Sequence, residues 1–174
     1  MVWRCSFALR AGLAARVIGK DFPMQVLEPV AAAALVGADL GASDWVLIDQ
    51  AKINAFAEVT GDHQFIHVDP IAAAATPFGG TIAHGFLTLS LLASMHPECA
   101  IVLKGIKMGV NYGFEKVRFL QPVPSGSRVR AHHKLKAFEH KGGGRYLVTT
   151  EVSVEIEGQD KPALIADWLG MQFC

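Results

Sequence analysis

The chain has 174 residues, 51% of them hydrophobic, and its 16 basic and 16 acidic residues give a formal net charge of zero. A chain of this length is expected to form one domain with a substantial hydrophobic core. Its balanced charge excludes the basic excess that marks a nucleic-acid-binding surface.

The three cysteines, Cys5, Cys99 and Cys174, lie far apart in the chain, and none belongs to a CxxC pair. This distribution is typical of reduced thiols and not of a disulfide framework. We therefore expect an intracellular protein with a cytoplasmic location.

The N-terminus differs from the rest of the chain in composition. It carries Arg and Lys residues among apolar ones and has no acidic residue before Asp21. Organelle transit peptides share this charge pattern but are rich in serine, whereas the segment contains only Ser6. We interpret residues 1–23 as a disordered extension, with organelle targeting as the alternative, and residues 24–174 as a single domain.

A short helix and a short strand are predicted near the start of this domain. Residues 30–36 are rich in alanine. They lie between Pro29, a favoured first residue of a helix, and Gly37, a favoured end. The apolar run at 45–48 predicts a strand.

A second helix and a long loop follow. Asp49 is a suitable N-cap, apolar residues then recur at helical spacing, and Gly61 ends the pattern. Residues 62–80 contain Pro70 and Pro77 and are predicted to form a loop. Loops of this length inside a compact domain are usually functional.

Residues 82–95 are apolar on every side of a helical projection. A helix of this kind must be surrounded by other parts of the protein. Fourteen residues are too few to cross a bilayer, so the surrounding material is protein. We predict a buried central helix and no membrane contact.

The last third of the chain alternates between apolar and polar residues. The alternation covers residues 107–112, 116–119, 127–138, 146–156 and 163–169. Period-two alternation over strands joined by tight turns indicates an antiparallel sheet with one apolar face. The apolar face of the sheet must be buried, and so must the apolar surface of the central helix. We therefore predict an α+β fold in which a curved antiparallel sheet encloses the helix.

Asp62 and His67 form a candidate acid–base pair in the long loop. Histidine titrates near neutral pH, and a neighbouring carboxylate fixes its tautomer, so the two groups could share one water molecule. The alternative is structural: Asp62 would cap the turn after Gly61, and His67 would be an ordinary loop histidine.

Gly85 lies near the start of the predicted central helix. The first N–H groups of a helix lack intrahelical partners, and a residue without Cβ lets a substrate oxygen approach its N–H. Gly85 is therefore a candidate oxyanion-binding amide. The alternative is that Gly85, like Gly79 and Gly80, only lets the chain turn and pack.

Metal binding and serine hydrolysis are the competing uses of these segments. No HExxH or paired-cysteine spacing occurs and no GxSxG motif surrounds Ser90 or Ser94. We therefore expect no metal, no organic cofactor and no serine nucleophile. The residues that would otherwise be candidate metal ligands are Asp62, His63, His67, Asp69 and His84.

One predicted strand face is basic. Such a face is usually only solvated, but it could also attract a phosphorylated carrier such as coenzyme A. Lys104 and Lys107 are candidates for the same role. The face consists of Arg128, Arg130, Lys134 and Lys136.

Two connected motifs resemble a known family. FAEVTGDHQFIHVDP, followed by PFGGTIAHGFLTLSLL, resembles the hydratase signature of the MaoC-like (R)-specific enoyl-CoA hydratases. The resemblance is strongest to a single-domain branch that includes nodulation protein N-like proteins, and it extends from about residue 41 to about residue 169.

The resemblance implies a hot-dog fold, usually as a homodimer, and reversible hydration of a trans-2-enoyl-CoA to the (R)-3-hydroxyacyl-CoA. By matching position, it implies that Asp62 and His67 orient and activate the water. It also implies that the N–H of Gly85 polarises the thioester carbonyl. The substrate would be the acyl-CoA thioester, with no further cofactor.

The sequence departs from the family pattern at one position. Family members often place a small hydroxyl residue further along the central helix, where this chain has Ala93, with Ser90 and Ser94 nearby.

Two other functions remain open on the same scaffold, since a fold does not determine a function. They are a non-catalytic acyl-thioester-binding protein and a hot-dog thioesterase.

Overall fold

A computed structural model of the chain describes residues 25–96 and 100–174. The predicted extension at residues 1–23 lies outside these ranges, as do Cys5 and Cys99. Within the described ranges, no helix has the length and apolar character that crossing a membrane requires.

The described residues form strands and short helices in a mixed order. The strands are β1 (Gln25–Leu27), β2 (Asp39–Ala42), β3 (Val46–Ile48), β4 (Ile101–Leu103), β5 (Met108–Phe119), β6 (Ser127–Gly142), β7 (Arg145–Ile156) and β8 (Leu164–Phe173). The helices are α1 (Pro29–Ala33), α2 (Gln50–Thr60), α3 (Phe65–Val68), α4 (Pro70–Ala74) and α5 (Gly85–Ser90).

The main sheet is antiparallel and confirms the predicted α+β fold. Its strand order is β2-β6-β7-β8-β5, and β3 also pairs with β6. Strands β1 and β4 form a separate parallel pair. The predicted strands at 107–112 and 116–119 are one continuous strand, β5, whose register with β8 shifts at two points.

Alternation along β6 gives the sheet one buried face, as predicted. Val129, Ala131 and Leu135 are fully buried, whereas Arg128 and Lys134 on the opposite face are exposed. On β7, Ile156 and Val154 lie opposite Val129 and Ala131 and are also in the core. Burial of such side chains is the main stabilising contribution to a sheet of this kind.

Helix α2 has the predicted ends. The Asp49 carboxylate accepts a hydrogen bond from the Lys52 N–H at 2.9 Å, which is an N-cap. Gly61 follows the last turn in the left-handed region with φ of 75°, and its N–H bonds the Ala57 carbonyl. The site loop therefore leaves α2 from a fixed point.

The central helix is shorter and less enclosed than predicted. It comprises α5 and one 3₁₀ turn, Leu91–Ala93. It begins later than predicted because Ile82 and Ala83 are extended and pair with the segment at Val123 and Pro124. In the single chain the sheet covers one side of the helix. Phe86, on the other side, is 67% exposed.

The predicted loop at 62–80 contains two short helices, α3 and α4. Asp69 caps α4 through hydrogen bonds from the N–H groups of Ile71 and Ala72, both at 3.0 Å. Pro70 is the first residue of that helix, a position where its missing N–H has no consequence. The segment therefore contains more helix than its prolines indicated.

Candidate active site

Asp62 and His67 lie on the segment that joins α2 to α3. Asp62 follows Gly61 and is exposed, and His67 is on α3 and is 7% exposed. The hydrogen bonds that Asp62 makes within its own loop are long, 3.4 Å each, to Thr60 and Gln64. Bonds of this length are weak, so the loop alone does not hold the carboxylate in place.

The hydrogen bonds of His67 determine its tautomer. Its Nδ1 lies 2.7 Å from the Ile82 carbonyl oxygen. A carbonyl only accepts hydrogen bonds, so Nδ1 carries the hydrogen and, in the neutral ring, Nε2 carries the lone pair. His67 can therefore act as a base through Nε2.

Gln50 joins α3 to the strand-like segment that precedes α5. Its side-chain N–H₂ group donates to the His67 carbonyl at 2.7 Å, and its side-chain oxygen accepts from the Thr81 hydroxyl at 2.6 Å. These bonds tie three segments together around His67. The backbone at His67 is thus fixed from the side of α2.

His84 contacts both members of the predicted pair. Its Nε2 donates to the Asp62 carbonyl at 2.9 Å, and its ring stacks on the His67 ring with centroids 3.8 Å apart and planes inclined by 26°. One side-chain oxygen or nitrogen of each of the three residues lies within 4.8 Å of those of the other two. The fold therefore brings Asp62 and His67 together.

The same three residues are of the types that bind metals, but the rings are stacked. Histidines that share an ion direct lone pairs at one point, and these lone pairs lie in the ring planes. The nearly parallel rings of His67 and His84 are separated by 3.8 Å, so their lone pairs do not meet at one ion. The arrangement fits acid–base chemistry better than metal binding.

A cavity of about 230 Å³ lies beside this group. His67, Gly85 and Thr88 line it, with walls from the end of β5 and the segment that follows. Among the described residues, no acceptor bonds the N–H of Gly85. His67 and Gly85 therefore border the same cavity, whereas Asp62 is not among the residues that line it.

The space beside Gly85 is filled by a side chain. A Cβ at this position would lie 3.0 Å from Cδ1 of the Phe119 ring. A side chain at position 85 would therefore require the Phe119 ring to shift, whatever the role of the Gly85 N–H. The two alternatives considered for Gly85, packing and donation, do not exclude each other.

Thr88 is the hydroxyl residue of this cavity. It is 2% exposed, and its Oγ1 has no hydrogen-bond partner among the described residues. Ala93, Ser90 and Ser94 are exposed, and the two serine hydroxyls bond backbone carbonyls of their own helix. None of these three lines the cavity, so Thr88, which the sequence analysis did not consider, is the candidate.

The other candidate ligands lie apart from the cavity lining. His63 is exposed, and its Nδ1 lies 3.8 Å from the Glu58 carboxylate. Asp69 is used as the cap of α4. Neither residue lines the cavity.

The predicted basic face is largely neutralised. Arg130 pairs with Glu155 at 2.6 Å and Lys136 with Asp167 at 2.7 Å. Arg128 pairs with Glu157 in the same way, and Lys104 with Glu28. These ion pairs reduce the positive charge that could attract a phosphorylated carrier.

A larger cavity of about 360 Å³ lies against the sheet, with lining residues from β5, β6, β7 and β8. His133 and Trp168 line it, and neither Asp62 nor His67 does. Burial lowers the pKa of His133 to about 4, against the opposing effect of its Nε2 hydrogen bond to the Met95 carbonyl. Charges on His96 and His132 lower this pKa further.

Comparisons with known proteins point to one family. A model described as the MaoC like domain matches residues 31–157. The 3-hydroxyacyl-thioester dehydratase Z of Mycobacterium tuberculosis (strain ATCC 25618 / H37Rv) is 52% identical over 145 residues, which cover 83% of this chain and 95% of that protein. Nodulation protein N of Rhizobium leguminosarum bv. viciae is 50% identical over 135 residues, which cover 77% and 84%.

A solved structure agrees with these matches. The R-hydratase PhaJ1 from Pseudomonas aeruginosa, in its unliganded form, has a TM-score of 0.59 and 26% sequence identity to this chain. The alignment covers 79% of this chain and 81% of that one. The predicted hot-dog architecture is confirmed.

Proposed function

The chain belongs to the MaoC-like dehydratases and is a lyase of the hydratase and dehydratase type, and on this premise we propose that it catalyses the reversible, (R)-specific hydration of a trans-2-enoyl-CoA to the (R)-3-hydroxyacyl-CoA. The observation that carries the proposal is the proximity of two groups. Side-chain atoms of Asp62 and His67 lie within 4.8 Å of each other, and His67 lines the cavity that contains Gly85.

In the proposed reaction, a water molecule binds between the Asp62 carboxylate and Nε2 of His67. The water gives one proton to Nε2 while its oxygen forms a bond to C3 of the enoyl group. Asp62 accepts a hydrogen bond from the remaining O–H and orients it. Acid–base assistance of this kind contributes about 10²–10⁴-fold to a rate.

The electrons of the C2–C3 double bond then move toward the thioester carbonyl. The N–H of Gly85 donates to the carbonyl oxygen as negative charge develops there. Nε2 of His67 returns its proton to C2, which completes the addition of water. In the reverse direction, the same groups remove water from the 3-hydroxyacyl thioester.

The test is the loss of enoyl absorbance when the protein is added to crotonyl-CoA. Asp62→Asn and His67→Gln should lower the rate by about 10²–10⁴-fold. His63→Gln, an exposed histidine of the same loop, is the matched control and should retain the rate. Chiral analysis of the product should give the (R)-alcohol, and an (S)-product would contradict the proposal.

The same assay separates the two other functions. A binding protein without activity would leave the enoyl absorbance unchanged with the wild type and with Asp62→Asn alike. A thioesterase would release free thiol, which a thiol reagent detects in the same cuvette. Hydration alone consumes the double bond and releases no thiol.

The proposed enzyme is a homodimer that forms through β5. Among the described strands, β5 pairs only with β8, so its other edge is available. An open edge with apolar side chains favours pairing with another chain. The exposed apolar residues of β5 are Met108, Val110, Tyr112, Phe114 and Phe119.

A further inference from the structure

His84 is a buried histidine for which the proposed reaction has no chemical use. It is 3% exposed and immediately precedes Gly85. Its ring contacts the ring of Phe56 on α2, with centroids 5.1 Å apart, and stacks on the ring of His67, with centroids 3.8 Å apart. It therefore supports the face of the catalytic imidazole from the side of α2.

The hydrogen bond of His84 to Asp62 spans 22 positions of the chain. At 2.9 Å it is shorter than the two 3.4 Å bonds that Asp62 makes within its own loop. It ties the exposed start of the loop, at Asp62, to the buried segment before α5. Asp62 is thus positioned through its backbone carbonyl, which leaves its carboxylate free.

Packing alone does not account for a histidine at this position. Because Nε2 donates to Asp62, Nδ1 holds a lone pair, and among the described residues this buried nitrogen has no partner. A phenylalanine would fill similar space, stack on His67 and leave no unpartnered acceptor. What phenylalanine would lack is the Nε2–H donor.

We infer that His84 is a positioning residue that holds Asp62 and His67 in one geometry, Asp62 through its Nε2–H and His67 through its ring face. The inference rests on the proposed function for its kinetic consequence. Its structural consequence, an ordered loop at Asp62, is independent of any activity. Misplacement of a catalytic group by about 1 Å lowers a rate on the order of 10²-fold.

Two variants separate the two contacts. His84→Phe keeps an aromatic ring against His67 and removes the donor to Asp62. His84→Gln keeps a donor and removes the ring. His140→Phe is the matched control, because His140 is an exposed histidine that also stacks on an aromatic ring, that of Tyr146 at 4.8 Å.

The experiment measures kcat and KM for crotonyl-CoA hydration, together with ¹⁵N relaxation of the backbone amides at 62–64. For His84→Phe we expect kcat to fall on the order of 10²-fold with KM changed less than about twofold. The order parameters at 62–64 should fall below about 0.6 from the range of a rigid backbone. His84→Gln should keep the loop ordered, and His140→Phe should behave as wild type.

A double variant tests whether His84 acts through Asp62. In the Asp62→Asn background, His84→Phe should lower kcat by less than about twofold, because the group that it positions is already disabled. An equal loss in both backgrounds would overturn the inference, as would a wild-type kcat for His84→Phe. If the wild type hydrates no enoyl-CoA, the proposed function fails, and unchanged order at 62–64 in His84→Phe would then overturn the inference separately.

Discussion

The ring of Phe119 lies directly against the backbone of Gly85, so close that a Cβ at Gly85 would meet it at 3.0 Å. The residue proposed to bind the thioester oxygen is thus also a packing position at the cavity wall. Any substituent at Gly85 must displace the ring, and Phe119 is 46% exposed and able to move.

Gly85→Ala should therefore affect activity more than stability. The ring of Phe119 has to shift by a few tenths of an ångström. We expect a change below about 1 kcal/mol in the free energy of unfolding and a fall in kcat/KM of about tenfold or more, because the added Cβ hinders approach to the N–H and shifts the cavity wall at Phe119. Chemical denaturation and the crotonyl-CoA assay measure the two quantities. A wild-type kcat/KM would show that neither open access to the N–H of Gly85 nor the position of the Phe119 ring matters for the reaction.

Thr88→Val should leave the free energy of unfolding unchanged or higher, so it tests whether the Thr88 hydroxyl has a role in the reaction. The substitution keeps the shape of the side chain and removes a buried hydroxyl that has no partner among the described residues. Relief of an unsatisfied group should leave stability unchanged or raise it by about 1 kcal/mol. If the hydroxyl binds the water or the substrate, kcat/KM should fall, and Thr88→Ser should restore it. Equal activity of Val and Thr would exclude this role.

His133 should make stability depend on pH below neutrality. Its pKa is lowered by burial to about 4 in the folded protein, from 6.5. As pH falls from 6.5 to 4, the unfolded chain binds a proton that the folded chain does not, so stability decreases. The loss is about 3 kcal/mol over this range, and above pH 6.5 this group contributes no slope.

His133→Gln provides the comparison for that prediction. Gln has an N–H₂ group that can donate to the Met95 carbonyl and does not titrate. Urea unfolding at pH 7, 6, 5 and 4.5 should show a shallower decline for the variant than for the wild type. Parallel curves for the two proteins would contradict the assignment.

A charge on the outer edge of β5 should weaken the proposed dimer. Tyr112 is 63% exposed in the single chain, and Tyr112→Lys would place an ammonium group in the interface. We expect the Kd of the dimer to rise about tenfold or more, since desolvating the charge is unfavourable. Sedimentation equilibrium measures this change. Ile71→Lys, at an 87% exposed apolar residue of α4, is the control and should leave Kd unchanged; an equal effect of both would argue against β5.

Local rules predicted the parts of the fold that depend on neighbouring residues. Asp49 and Gly61 mark the ends of α2 because capping and the left-handed conformation involve only one turn of chain. The alternation along β6 predicted its buried face because side chains on a strand point alternately to two sides. Asp69 and Pro70 carried the same kind of signal for α4, which was overlooked in favour of the loop interpretation.

The parts of the fold that depend on distant residues could not be predicted from local sequence patterns. The helix was predicted to begin at 82, but Ile82 pairs with Pro124, and no local pattern encodes that partner. The short strands β1 and β4 pair across more than 70 positions and were not predicted. The basic face was correctly identified, but its pairing with acids on neighbouring strands follows from the register of the sheet.

The candidate site shows the same difference between local sequence signals and long-range contacts. Asp62, His67 and Gly85 were selected from motif and residue type. The fold brings Asp62 close to His67, and His67 and Gly85 line one cavity. Thr88 was not identified because only the three-dimensional structure shows that it lines the cavity. His84 was considered only as a metal ligand, and its stacking on His67 is visible only in three dimensions.

The short distance between Asp62 and His67 has a stereochemical consequence. Side-chain atoms of the two groups lie within 4.8 Å of one another, close enough to hold one water molecule. In the proposed reaction, Nε2 of His67 takes a proton from that water and returns it to C2, so the proton and the hydroxyl reach the same face of the substrate. The addition would be syn, and hydration in deuterium oxide would yield a single diastereomer of the 2-deuterio-3-hydroxyacyl product.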